Sequence, residues 1–114
     1  MNIEQEIQAK GLTAPRVTPA DIEANIRGEY YFTAAQAMEY AGEYHEKNSP
    51  LHLLTFCVLV LQNGFTVTGE SACASPENFD AEIGRKIARE NAINKIWPLM
   101  GYELKQRLHE TKAN

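Results

Sequence analysis

The apolar positions of this chain change rhythm most sharply in its middle. In "LHLLTFCVLVLQ" (51–62) they run almost unbroken, while in "FTVTGESA" (65–72) Phe65, Val67 and Gly69 alternate with Thr66, Thr68 and Glu70. Both runs are rich in β-branched and aromatic residues. Asn63-Gly64 between them suits a type I′ turn, so the pattern predicts a β-hairpin over about 52–71. The first strand is apolar on both faces and is expected to be covered on both, and the second has one polar face. Two strands alone are marginal in water, so the hairpin needs cover from helices or from another copy of the chain.

The flanks read as helices. Ile3, Ile7 and Leu12 recur at near-helical spacing, but Gly11 and "TAPRVTP" interrupt them, which makes residues 1–17 a flexible arm or a short docking helix ahead of a single domain over 18–114. Thr18-Pro19-Ala20-Asp21 is a helix start: Thr18 caps, Pro19 fits the first helical position, and Asp21 faces the positive helix end. That helix is expected over about 19–27, ended by Gly28. Thr33 caps a second one, filled by Ala34, Ala37, Met38 and Ala41 and closed by Gly42. Beyond the hairpin, Ser75-Pro76 and then Asn78 or Asp80 offer caps for a long helix from about 81 to Trp97. Pro98 should kink or break it, with Leu99, Met100, Leu104 and Leu108 carrying the period onward. The class is α+β.

Composition narrows this further. With 114 residues, 44% hydrophobic and 23% charged, the chain has the profile of one soluble domain with a modest core. Its longest apolar run, Leu53–Leu61, is far short of the roughly 20 residues that cross a bilayer as a helix. The N-terminus carries acids where an export signal would be basic and apolar, so a cytoplasmic location with no membrane association is expected. Two cysteines are too few for a disulfide scaffold, and both are expected as thiols. The net charge is −4, yet residues 81–114 hold seven Lys and Arg against four Asp and Glu. Such a mildly basic third can attract an anion but is no footprint for duplex nucleic acid.

The candidate chemistry lies on that third. On the 81–97 helix, Ile83, Ile87, Ile93, Ile96 and Trp97 span an arc into which Lys86, Arg89, Glu90 and Asn94 also project. A face so mixed points to buried polar contacts in an oligomer interface or around a polar ligand. The plainer alternative is that long side chains snorkel out from the core, with Lys86 and Glu90 pairing one turn apart. Arg85 and Arg89 are suited to phosphate oxygens because a guanidinium fork binds them in pairs, and Asn91 and Asn94 complete the candidate ligand set. The "GESACAS" loop has almost no side-chain bulk. Gly69, Ser71 and Ser75 would therefore allow a ligand or another backbone to come close.

Other chemistry is disfavoured. No histidine stands in a recognisable relation to Cys73, which argues against a thiol nucleophile. His45 and His52 with Cys57 match no zinc spacing, so no metal is expected. Asp80 reads as a cap and Glu70 as a strand-face residue, which leaves no paired acid–base site. No phosphate loop or dinucleotide fingerprint is present, and the reading is of a protein with no catalytic residues and no cofactor.

The stretches "EYYFTA", "LTFCVLVLQNGFTVTGESACASPENFD" and "EIGRKIARENAINKIWPLMGYELK" resemble the small tailed-phage and prophage proteins of the gene-49/gene-66 family, over about residues 15–108. The resemblance implies a phage origin and expression inside a bacterium, but no particular activity. A hairpin feeding a C-terminal helical pair is also similar in outline to phage counter-defence proteins that bind cyclic nucleotide signals between subunits. The expectation is therefore a non-enzymatic phage accessory protein, a homo-oligomer holding a nucleotide-like anion with Arg85, Arg89, Asn91 and Asn94. The alternative is a module that binds and inhibits a host protein through its acidic N-terminal half and Tyr30, Tyr31 and Phe32. A small hydrolase centred on Cys73 ranks last.

Overall fold

The computed structural model describes residues 2–113 and has an α+β fold. Helix α1 (Ile3–Ala9) buries none of its residues and is tied to the segment after it by Arg16, whose guanidinium fork grips the Glu4 carboxylate. Helix α2 (Pro19–Ala24) begins as the sequence predicts: the Thr18 hydroxyl accepts from Asp21 N–H while the Asp21 carboxylate accepts from Thr18 N–H. It stops earlier than predicted. From Ile26 the chain is extended, and Ile26–Thr33 forms strand β1, where the end of that helix, its Gly28 stop and the lead-in to the Thr33 cap were expected. Residues 30–33 are Tyr, Tyr, Phe and Thr, all comfortable on a pleated surface.

Thr33 serves two elements. It is the last residue of β1 and the N-cap of α3 (Ala34–Ala41), which ends at Gly42 in the left-handed conformation with φ 75°. After a 3₁₀ turn at Pro50–Leu53 come strands β2 (Leu54–Leu61) and β3 (Thr66–Ala72). The sheet is antiparallel with order β1-β2-β3. The hairpin is where the sequence puts it, but its turn differs. Asn63 does not adopt positive φ and Gly64 does, at 90°. Gly64 N–H donates to the Leu61 carbonyl and Leu61 N–H to the Phe65 carbonyl. This is a three-residue loop closed by a glycine bulge, the next commonest hairpin connection, in place of the two-residue type I′ turn.

Helix α4 runs from Ala81 to Ala113 and is not broken at Pro98. Proline there removes one hydrogen bond, to the Asn94 carbonyl, and both residues are exposed, so water reaches the freed oxygen. Asp80 is its cap, accepting from Ile83 N–H at 3.0 Å. The helix lies across one face of the sheet through Gly84, Ala88, Ala92 and Ile96, spaced four apart and all buried. They meet Cys57, Leu59, Leu61 and Val67, with Ile22 of α2 closing the core. Fully burying a side chain such as Leu59 or Ile96 stabilises by about 1.5–3 kcal/mol.

Only small residues let the helix come this near. Ile83 and Ile87, expected in the core arc, flank the contact line and stay 56% and 43% exposed. Lys86 pairs with Glu82 at 3.3 Å, not with Glu90. The strand that reads as apolar on both faces is β2, the middle strand. Thr55, Cys57, Leu59 and Leu61 are buried against α4, whereas Leu54, Phe56, Val58 and Val60 are only half-buried on the far face. That far face continues into Phe32, stacked on Phe56 at 5.4 Å, and Tyr30, which is 59% exposed.

Candidate functional site

A cleft of about 590 Å³ opens at the end of the sheet where β1 passes into α3 and α4 begins. Its apolar wall is Phe32, Leu53, Pro76 and Phe79, and its polar groups include Tyr31, Gln36, Glu39, His52 and Arg85. Each is placed by local structure already described. Gln36 sits in the α3 capping box, its side chain accepting from Thr33 N–H, and Arg85 rides on the first turns of α4, which Asp80 caps. Burial pushes the Tyr31 phenol up to about 12, reinforced by neighbouring Cys57 and Glu29. Tyr31 therefore stays a neutral hydrogen-bond donor at physiological pH.

The two arginines of the sequence reading separate here. Arg85 lines the cleft and makes no ion pair among the described residues. Arg89 is already engaged: its guanidinium forks onto the Glu23 carboxylate at 2.7 and 3.1 Å, and its Nε donates to Glu29. The Arg89 guanidinium holds the Glu23 carboxyl below its ordinary range. The mixed face of α4 is thus explained at this position by carboxylates from α2 and β1. Asn91 is also occupied, its Nδ2 donating to the Glu70 carbonyl on β3 at 2.8 Å, and Asn94 is exposed. Of the four residues, Arg85 alone borders the cleft.

The small-residue loop is accounted for by backbone packing at Gly69. A β-carbon there would stand 2.1 Å from the Ala88 carbonyl oxygen and 2.3 Å from Ala92 N. Ser71 is half-buried, and Ser75 begins a 3₁₀ turn (Pro76–Asn78) without a side-chain cap bond. Both cysteines are free thiols. Burial raises the Cys57 thiol, and Cys73 Sγ donates to the Ser75 carbonyl. The small cleft beside Cys73 has no histidine in its lining.

Sequence reasoning overlooked one grouping. Glu39, His45 and His52 bring a carboxylate and two imidazoles together, with ligating atoms all within 4.8 Å of one another. The two histidines are seven residues apart, outside any familiar zinc spacing, and only the path from α3 to the 3₁₀ turn unites them with Glu39.

A three-stranded antiparallel sheet backed by one long helix, with a cleft at its end, defines a small α+β domain, and no helix among the described residues is long and apolar enough to cross a membrane. Residues 17–108 match the model of the Phage protein (N4 Gp49/phage Sf6 gene 66) family, and the chain belongs to that family. No curated protein and no solved structure matches it.

Proposed function

We propose that this is a non-enzymatic phage accessory protein that acts in the host cytoplasm by binding, as a homo-oligomer that holds a small phosphate-bearing, nucleotide-like anion in the cleft at Arg85. The observation that carries the reading is Arg85 itself: an arginine without an acidic partner among the described residues, beside a cleft walled by Phe32 and Phe79. Aromatic rings suit a base, and a guanidinium fork suits phosphate oxygens. Sequestering such a molecule would deny it to the host, in keeping with a counter-defence role. Thermal shift and calorimetry with cyclic and linear nucleotides test this directly. Wild type should gain stability with at least one, and Arg85→Gln should lose the gain while keeping its fold. If no nucleotide shifts the wild type, the anion reading fails.

The open sheet face supports the oligomer. Leu54, Phe56, Val58 and Val60 with Tyr30 and Phe32 form a neutral apolar band of the kind that soluble proteins cover. The same band supports the second reading, a module that inhibits a host protein. Tyr30 and Phe32 belong to it, but Tyr31 points to the opposite face, opposite Cys57 in the register. A native mass equal to one chain would favour that second reading.

A further inference from the structure

We propose that Glu39, His45 and His52 form a binding site for a zinc-class divalent cation. The three ligands come from the last turn of α3, the link after it and the 3₁₀ turn Pro50–Leu53. A tetrahedral ion with bonds of about 2.0–2.1 Å holds its ligands roughly 3.3–3.4 Å apart. His45 Nε2 and Glu39 Oε1 are already 3.4 Å apart, and the two imidazole rings meet edge to face with centroids at 5.2 Å. A ligating nitrogen of His52 lies within 4.8 Å of both, and its closer approach would complete a three-ligand set.

Two further observations point to a cation. His45 Nδ1 lies 3.2 Å from the Glu46 carbonyl, which can only accept, so the hydrogen is well placed on Nδ1. In that tautomer the Nε2 lone pair faces the Glu39 carboxylate, a pair that is satisfied by a shared cation, either the proton of an imidazolium or a metal ion. Metal-bound histidines are held in the same way, with the far nitrogen donating to a carbonyl or carboxylate. The second observation is the direction of the link. Between Gly42 and Asn48, His45 is turned inward, its side chain 11% exposed, while the adjacent Tyr44 is left 90% exposed. Apolar burial alone would favour the reverse.

Ligand chemistry selects the class of metal. Two imidazoles and one carboxylate suit zinc and its neighbours better than magnesium or calcium, which prefer oxygen alone. Three protein ligands leave a fourth position for water or an anionic oxygen. Glu39 and His52 both line the large cleft, so that position opens towards it. The metal site stands independently of whether the cleft takes a nucleotide.

The test uses full-length, tag-free protein stripped with a chelator and titrated with cobalt chloride, then zinc chloride. One equivalent of cobalt should give the visible absorption of a tetrahedral site without a thiolate band, and zinc should displace it. His45→Ala and His52→Gln should each weaken zinc binding by at least about a hundredfold, and the metal-free variants should melt like the metal-free wild type. A variant that fails to fold is replaced by Glu39→Gln, which should weaken zinc binding at least tenfold. Absence of cobalt absorption at equimolar metal would overturn the proposal. So would binding unchanged in the histidine variants, or a thiolate band that vanishes in Cys73→Ser.

Discussion

Gly69 of β3 lies directly beneath Ala88 of α4, so close that the space a β-carbon would need is held by backbone: the Ala88 carbonyl oxygen at 2.1 Å and Ala92 N at 2.3 Å. No rotamer change relieves such a clash. Gly69→Ala must push the helix off the sheet and should destabilise by more than about 2 kcal/mol. Gly101, further along the same helix, has nothing within 4 Å, and Gly101→Ala should stabilise by about 0.5–1 kcal/mol through helix propensity. Urea unfolding of the two variants should therefore move in opposite directions.

The glycine bulge of the hairpin makes a separate prediction. Gly64 has φ 90°, which a β-branched side chain resists strongly, so Gly64→Val should cost more than about 1 kcal/mol. Thermal melting checks this. An unchanged midpoint would mean that the loop re-forms with another geometry.

Arg89 ties α4 to α2 and β1, and its contribution should fade in acid. The Glu23 carboxyl is held below its ordinary value of 4.5 by the guanidinium. A carboxyl depressed in the folded state contributes stability above its unfolded pKa and loses it as pH falls through the folded one. Glu23 is more than half exposed, which limits this contribution to about 1 kcal/mol. Arg89→Gln should lower the urea midpoint at pH 7, and the gap from wild type should narrow by pH 3.

The open sheet face predicts assembly through Phe56 and Val58. A Phe56→Lys, Val58→Lys double variant should keep its circular dichroism yet run as a monomer in light scattering, whereas wild type should run as an oligomer. A wild-type monomer at micromolar concentrations would remove the assembly from the proposed function.

What could be read from the sequence was local. The Thr18 and Thr33 caps, the choice of Asn78 or Asp80 that falls to Asp80, the Gly42 stop and the hairpin each rest on residues within a few positions of one another, and all are present. Strand β1 was hidden because Asn25 and Gly28 punctuate its start like a helix end, while Thr33 gives its last residue to a helix cap. Nor does its pattern alternate: aromatic Tyr30 and Phe32 point one way, Glu29, Tyr31 and Thr33 the other. The partners of Arg89 lie 60 and 66 residues away, beyond any periodicity. Arg85 could be named as a candidate anion ligand from its chemistry, but its cleft exists only once residues of α3, the 3₁₀ turns and the start of α4 come to line one end of the sheet.

The hydrogen bond from Asn91 to Glu70 bears on how far the sheet can grow. Leu61 N–H donates to the Phe65 carbonyl, and the Leu61 carbonyl accepts from Gly64 at the bulge, so by alternation Phe56 and Glu70 form a non-bonded pair, and the Glu70 carbonyl points away from β2 to the free edge of β3. Asn91 occupies the slot that an added strand would need. At the other edge, the pairing of β1 slips between Ile26 and Gly28, an irregularity of the kind that frustrates continuous extension. Polymerisation by strand addition is therefore hindered at both edges, which leaves the open sheet face as the surface through which the proposed homo-oligomer would form, as a closed assembly.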